Sequence, residues 1–214
     1  MRYAVILSVA LTWGMFMPAH FWAQARGRKA LSLTVKVVPT LAAAAFASLA
    51  RGADAYSAWL LAGLCVCALA DVMLGVRFEV GGALFFAGHL LYLTALSFNQ
   101  APSVWSAAVF AVAWAGLWAF SARYRDLMPR KRLMAGVMVY AMALAALLAM
   151  SVPAAFAAPS RRTVLAACGA SLFVLSDVTL CHNLLRHKPA LWQYFSLGAY
   201  YMAQLLLGLS APLA

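Results

Sequence analysis

Eight apolar runs, each long enough to cross a bilayer, leave this chain very few folds to choose from. They lie at about 3–23, 31–50, 57–76, 80–99, 102–120, 133–151, 163–185 and 191–211. A helix of about 20 apolar residues spans the hydrocarbon core. In lipid, each backbone N–H and C=O must be satisfied inside the protein, so the choice is between helices and a closed barrel. No segment shows the period-two alternation of a barrel strand. The expectation is an all-α polytopic membrane protein with eight transmembrane helices, forming one domain over residues 1–214. The sequence is 66% hydrophobic and 10% charged, with a mean hydropathy of +0.88. Those values exclude a water-soluble enzyme, a disulfide scaffold and a disordered chain.

The breaks between runs are short, which makes consecutive helices antiparallel neighbours. They include Arg26-Gly27-Arg28-Lys29, Arg51-Gly52-Ala53-Asp54, Arg77-Phe78-Glu79 and Asn99-Gln100-Ala101-Pro102, and the widest runs from Arg123 to Arg132. Pro159 to Arg162 and Arg186 to Pro189 complete the set. The first run ends in Ala23-Gln24-Ala25, like a secretory cleavage site. Positive charge follows at once and opposes translocation of that side, so a retained first helix is expected.

The net charge of +11 sits mainly in these breaks. No basic helix face interleaves with aromatics, so nucleic acid is excluded as a partner and the charge is read as topology. With eight spans, the N-terminal side carries Arg2, Arg51, Arg161 and Arg162. The opposite side carries eleven of the 16 Lys and Arg, and Lys36 lies within a run. The positive-inside rule then places the eleven in the cytoplasm and both termini outside, with a bacterial inner membrane as the expected location.

Of the five acidic residues, Asp71 and Asp177 lie well inside apolar runs. An ionisable group at membrane depth is costly and is a functional candidate by default. The alternative is a structural inter-helix bond, with Lys36 as a partner for one of them. The flanking residues are alike: Ala68-Leu69-Ala70-Asp71-Val72-Met73-Leu74 resembles Val174-Leu175-Ser176-Asp177-Val178-Thr179-Leu180. The aspartates are 106 residues apart, near half of 214, which is consistent with a 4+4 parallel internal repeat. Lys36, His89 and Tyr92 lie at matching depth, the last two on one helix face. Gln193, Tyr200 and Gln204 are spaced as one polar stripe. Asn183 follows Asp177 within the same run. All these groups are expected to meet in one cavity open to the cytoplasm.

His20, His182 and His187 fall near run ends and are read as interfacial. Cys65, Cys67, Cys168 and Cys181 lie in apolar runs and are read as small buried thiols. No His or Cys spacing suits a metal site, so no metal and no cofactor are expected.

Lys36-Val37-Val38-Pro39, Leu69-Ala70-Asp71-Val72-Met73-Leu74 and Phe85-Phe86-Ala87-Gly88-His89-Leu90-Leu91-Tyr92 resemble three ordered signatures of the YhhN-type membrane family, which includes the lysoplasmalogenases. Ser176-Asp177-Val178-Thr179-Leu180 and Tyr200-Tyr201-Met202-Ala203-Gln204-Leu205-Leu206 resemble its last two. One departure is Ala70, where the family tends to have Gly. The resemblance implies an eight-helix membrane enzyme that hydrolyses the vinyl-ether bond of lysoplasmalogens. The products are a fatty aldehyde and glycerophosphoethanolamine or glycerophosphocholine.

A vinyl ether is cleaved by acid, through an oxocarbenium ion. It needs a proton donor and nearby negative charge, not a nucleophilic serine or cysteine. Two carboxyl groups meet both needs. Asp177 is expected to be the acid and Asp71 the base. Lys36 is placed to pair with the lipid phosphate, while His89, Tyr92, Asn183, Tyr200 and Gln204 are expected to contact substrate or water. The partners implied are a lysophospholipid and the surrounding membrane lipids, with no obligate protein partner. A proton-coupled small-molecule or lipid transporter is the alternative.

Overall fold

Proline and glycine shape the first rod. A computed structural model of the protein describes residues 2–49, 54–127, 131–186 and 190–211. Arg51, Gly52, Ala53, Arg130, His187, Lys188 and Pro189 lie outside the described residues. Helix α1 (Arg2–Leu11) runs through a π-helical turn, Thr12–Phe16, into α2 (Met17–Ala25). Pro18 has no N–H to return to the Gly14 carbonyl, so the ladder widens where that bond is missing. Seven more long helices follow: α3 (Lys29–Ser48), α4 (Ala55–Val76), α5 (Phe78–Ser97), α6 (Val104–Ala122), α7 (Lys131–Ala157), α8 (Arg161–Arg186) and α9 (Ala190–Ser210). The fold is all-α, and among the described residues seven of the eight rods are long and apolar enough to cross a membrane. The eighth, α9, carries Gln, Tyr and Ser on its 21 residues and packs against α8 and α3.

Sequence punctuation sets the helix ends. Asp54 caps α4, accepting from the Ser57 N–H at 2.9 Å. Ser160 and Thr163 cap α8 reciprocally, with backbone N–H to hydroxyl distances of 2.9 and 3.1 Å. The α2–α3 turn closes on Gly27 at φ +67°, a conformation that suits glycine. Two bonds complete this Schellman turn: Gly27 N–H to the Gln24 carbonyl at 3.0 Å and Arg28 N–H to Ala23 at 2.9 Å. Between α4 and α5 only Arg77 leaves helical geometry. The main boundary error of the sequence reading is α7, expected to end at 151. It continues through Pro153 to Ala157, since an interior proline removes one bond of a long ladder without ending it.

The helix contacts follow the repeat. In the first half α2 packs on α3, α3 on α4 and α4 on α5; in the second α6 packs on α7, α7 on α8 and α8 on α9. The halves join through α3 with α9 and through α5 with α7. Each of these contacts maps onto its counterpart when the halves are exchanged. The two least buried spans, Tyr3–Ala25 and Val104–Ala122, occupy equivalent outer places. Gly63 and Gly169 are also 106 residues apart. A Cβ on Gly63 would lie 3.3 Å from the Gly88 carbonyl of α5, and one on Gly169 would lie 3.1 Å from the Ala203 carbonyl of α9. Small residues thus bring the helices of each pair together, as is common in membranes. Ser176 and Ser196 add reciprocal bonds between α8 and α9 at 2.9 and 3.0 Å.

The cysteine expectation needs correction. Cys67 is buried, but Cys65 and Cys168 are exposed and Cys181 is half-buried. An apolar run does not reveal which of its faces meets lipid, and a small thiol is tolerated on either.

Candidate active site

Asp71 lies at the meeting of α3, α4 and α9, with 1% of its surface exposed. Lys36, on α3, places its Nζ 3.2 Å from Asp71 Oδ1. The other oxygen, Oδ2, accepts from the Thr40 hydroxyl at 2.8 Å and the Tyr200 hydroxyl at 2.7 Å. A buried charge holds its place only when paired and hydrogen-bonded, and both conditions are met here. Thr40 follows Lys36 by one helical turn, so one face of α3 supplies both groups. Tyr201 donates to the Lys36 carbonyl at 2.8 Å, one turn from the interior Pro39, and ties α9 to this part of α3.

A hydrogen-bond chain extends from Tyr200 into the core. Gln204 Nε2 donates to the Tyr200 oxygen at 3.0 Å, and the Tyr92 hydroxyl donates to Gln204 Oε1 at 2.6 Å. The Asp71 carboxylate, which only accepts, sets the polarity of the chain by taking the Tyr200 proton. The amide N–H occupies the phenol oxygen, and the phenol proton is directed at Asp71. Tyr92 and Gln204 are fully buried. Their hydrogen bonds lead to Tyr200, and neither lines the cavity that reaches Lys36.

Asp177 heads the second cluster. Tyr140 of α7 donates to its Oδ2 at 2.6 Å. His89 of α5 turns Nε2 toward the same oxygen at 4.0 Å. His89 Nδ1 lies 2.6 Å from the Phe85 carbonyl and must carry a hydrogen to bond with it. Nε2 is buried without a hydrogen-bond partner among the described residues.

The same rule builds both clusters. Asp71 on α4 meets Lys36 of its own half and Tyr200 of the other. Asp177 on α8 meets Tyr140 of its own half and His89 of the other. Phe173 has its ring centroid 4.6 Å from His89 and 5.5 Å from Tyr200. Phe173 thus packs against a member of each cluster, and neither acid lines the cavity that reaches Lys36, unlike the single cavity expected. A cavity of about 370 Å³ reaches Lys36 from the α2–α3 turn. His20, Gln24, Lys29 and Ser32 form its polar side. Leu74, Phe78, Leu180 and Leu184 form much of its apolar side.

Several assignments move. Asn183 is buried but bonds to neither carboxylate, and its amide finds no partner among the described residues. Gln193 is exposed and does not continue the stripe of Tyr200 and Gln204. His20, read as interfacial, is buried, with Nδ1 2.9 Å from the Ser32 hydroxyl. His182 bonds to Tyr124. Sequence reasoning missed Thr40, Tyr140, Phe173 and Tyr201. The available signals were the one-turn spacing from Lys36 and a lone phenol in an otherwise apolar stretch of α7. Among the described residues there is no cluster of three His, Cys, Asp or Glu side chains able to hold a metal ion.

The sequence model of the YhhN family matches residues 31–211, which contain both acid clusters and every helix from α4 to α9. The chain belongs to the YhhN family. Comparison with curated proteins and with solved structures finds no match. As a multi-spanning member of the YhhN family, the protein is consistent with a lipid-acting membrane enzyme, and family membership implies enzymatic potential. The YhhN match begins within α3, so α1 and α2 lie before it, including His20 and Gln24 of α2 in the cavity wall.

Proposed function

We propose that this protein hydrolyses the vinyl-ether bond of lysoplasmalogens, and that Asp177 and Asp71 divide the chemistry. The observation that carries the proposal is the unequal company of two similarly built acids. Asp71 faces the Lys36 cation. Asp177 faces a phenol and an imidazole. Asp71, paired with a cation, is accordingly assigned as the carboxylate, and Asp177 as the proton donor.

Asp177 transfers its proton to the β-carbon of the enol ether, and the electron pair of the double bond forms the new C–H bond. Positive charge then spreads over the α-carbon and the ether oxygen. The carboxylate of Asp71 and the faces of Phe173 and Tyr200 favour that cation. Water adds to the α-carbon and loses its proton to a carboxylate. The hemiacetal collapses to a fatty aldehyde and the glycerophospho-alcohol, which takes up the remaining proton. The protein is then expected to lie in the inner membrane with both termini outside the cytoplasm, which places the cavity mouth on the cytoplasmic side.

One observation favours a carrier as the second reading. The pseudo-equivalent helices α3 and α7 each stay continuous but carry an interior proline, Pro39 and Pro153, and proline-bearing segments in matching halves are a feature of transporters. Purified protein incubated with vinyl-ether, alkyl-ether and ester lysolipids separates the two. Release of fatty aldehyde from the vinyl ether alone supports the hydrolase. Absence of aldehyde, with solute-dependent proton movement in liposomes, supports the carrier.

A further inference from the structure

The cavity beneath the α2–α3 turn holds two cations and no carboxylate among its lining residues. Lys36, at its inner end, is already committed to Asp71 at 3.2 Å. Lys29, near the mouth, makes no ion pair among the described residues. His20 is held by its Nδ1 to Ser32, at 2.9 Å from the hydroxyl and 3.0 Å from the carbonyl. That leaves its Nε2 without a protein partner among the described residues. Gln24 adds an amide. The nearby Arg26 and Arg28 lie over the Trp22 ring, at 5.4 and 5.2 Å from its centroid, and stay outside the lining. Leucines of α3, α4 and α8 form the remaining wall. A site with surplus positive charge and hydrogen-bond donors on one side and leucine on the other fits an anionic group joined to an alkyl chain. Its volume of about 370 Å³ lies in the range of small-molecule sites.

We propose that this cavity is a phosphate subsite for single-chain phospholipids, in which Lys29 and His20, rather than Lys36, take the phosphate. The assignment rests on the proposed lipid-ether reading and adds the feature of the substrate that is recognised away from the reacting bond. Lys29 supplies the charge, and His20, with Nδ1 accepting from the Ser32 hydroxyl so that Nε2 carries the hydrogen, donates a hydrogen bond beside it. Lys36 stays with Asp71, so phosphate binding does not strip the acid of its counter-ion.

The test is binding, not turnover. Protein in maltoside micelles is titrated with a saturated alkyl-ether lysophosphatidylcholine, an alkylglycerol of equal chain length, and inorganic phosphate. The ether lipid has no vinyl group to cleave, so the outcome is independent of hydrolysis. The expected result is that the phospholipid binds at least about fivefold more tightly than the alkylglycerol. Lys29→Gln, at an exposed position that leaves the core intact, should remove most of this difference, and His20→Gln should weaken it further. Equal affinity for phospholipid and alkylglycerol, or an unchanged preference in a folded Lys29→Gln protein, overturns the subsite. Inorganic phosphate binding as tightly as the lipid overturns the lipid assignment. A phospholipid preference in a protein that releases no aldehyde sinks the hydrolase reading alone.

Discussion

The Gln204 amide donates to the Tyr200 hydroxyl over 3.0 Å, leaving the Tyr200 proton for Asp71. Tyr200→Phe removes a donor from Asp71 and leaves a fully buried amide N–H without an acceptor. A loss of about 1–3 kcal/mol in stability is expected, with a fall in turnover because the carboxylate loses a fixed contact. Thermal unfolding in detergent and aldehyde release measure the two effects. Unchanged values for both would show that the chain does not orient Asp71.

Lys36 and Asp71 should be far more sensitive singly than together. Asp71→Asn leaves the lysine uncompensated within the bundle, at an expected cost of about 3–5 kcal/mol. Lys36→Met leaves the carboxylate alone, with a similar penalty. The double variant Lys36→Met with Asp71→Leu should recover much of the stability while remaining inactive. A double-mutant cycle on unfolding midpoints reads this coupling, and additive losses would contradict it.

Asp177→Asn should behave differently. Tyr140 donates to the carboxyl Oδ2, and an asparagine carbonyl accepts the same bond. Stability should shift by less than about 1 kcal/mol, while vinyl-ether cleavage falls to background. Wild-type turnover in this variant would remove Asp177 from the mechanism.

Acid should loosen the end of the bundle opposite the cavity through Asp54. Partial burial pushes its carboxyl up, but hydrogen bonds from Ser57 and the Arg162 guanidinium outweigh this and hold it below the ordinary carboxylate range. A depressed carboxyl stabilises the fold above its unfolded pKa, and that contribution fades as pH falls through the lower folded value. Unfolding temperature followed from neutral to about pH 3 should therefore drop in the wild type, and less steeply in Asp54→Asn. Parallel curves for the two proteins would rule the cap out as an acid-sensitive tie.

Glycine substitutions should separate contact from lipid-facing positions. A Cβ on Gly208 would collide with the Ala43 backbone, whereas one on Gly116 meets nothing within 4 Å. Gly208→Ala should cost about 1–3 kcal/mol, seen as a lower unfolding midpoint, with Gly116→Ala neutral or slightly stabilising.

Much of this architecture was legible because lipid permits few alternatives. Apolar length marked the helices, and the isolated carboxylates marked their sites. The repeat was visible around Asp71 and Asp177, and the exchange of helix partners between the halves extends it. What stayed hidden depends on side chains meeting across helices. Nothing about Tyr140 in its own run says that it faces Asp177. Nothing about Phe173 says that it packs against His89 and Tyr200, one partner of each acid. His20 looked interfacial because its partner, Ser32, lies on the next helix. Asn183 was associated with Asp177 by nearness in sequence, but six residues along a helix turn a side chain well away from the starting face.

The Lys36–Asp71 pair also bears on how the chain enters the bilayer. Its two members come from consecutive helices, α3 and α4, which leave the ribosome as one hairpin. Opposite charges that meet within that hairpin can enter the hydrocarbon as a neutralised unit, before the second half is inserted. Separating them on distant helices would require each to cross the insertion machinery as a bare ion. The order of synthesis therefore suits the charge arrangement: the first acid arrives with its own counter-ion, and the second follows into a bundle already half built.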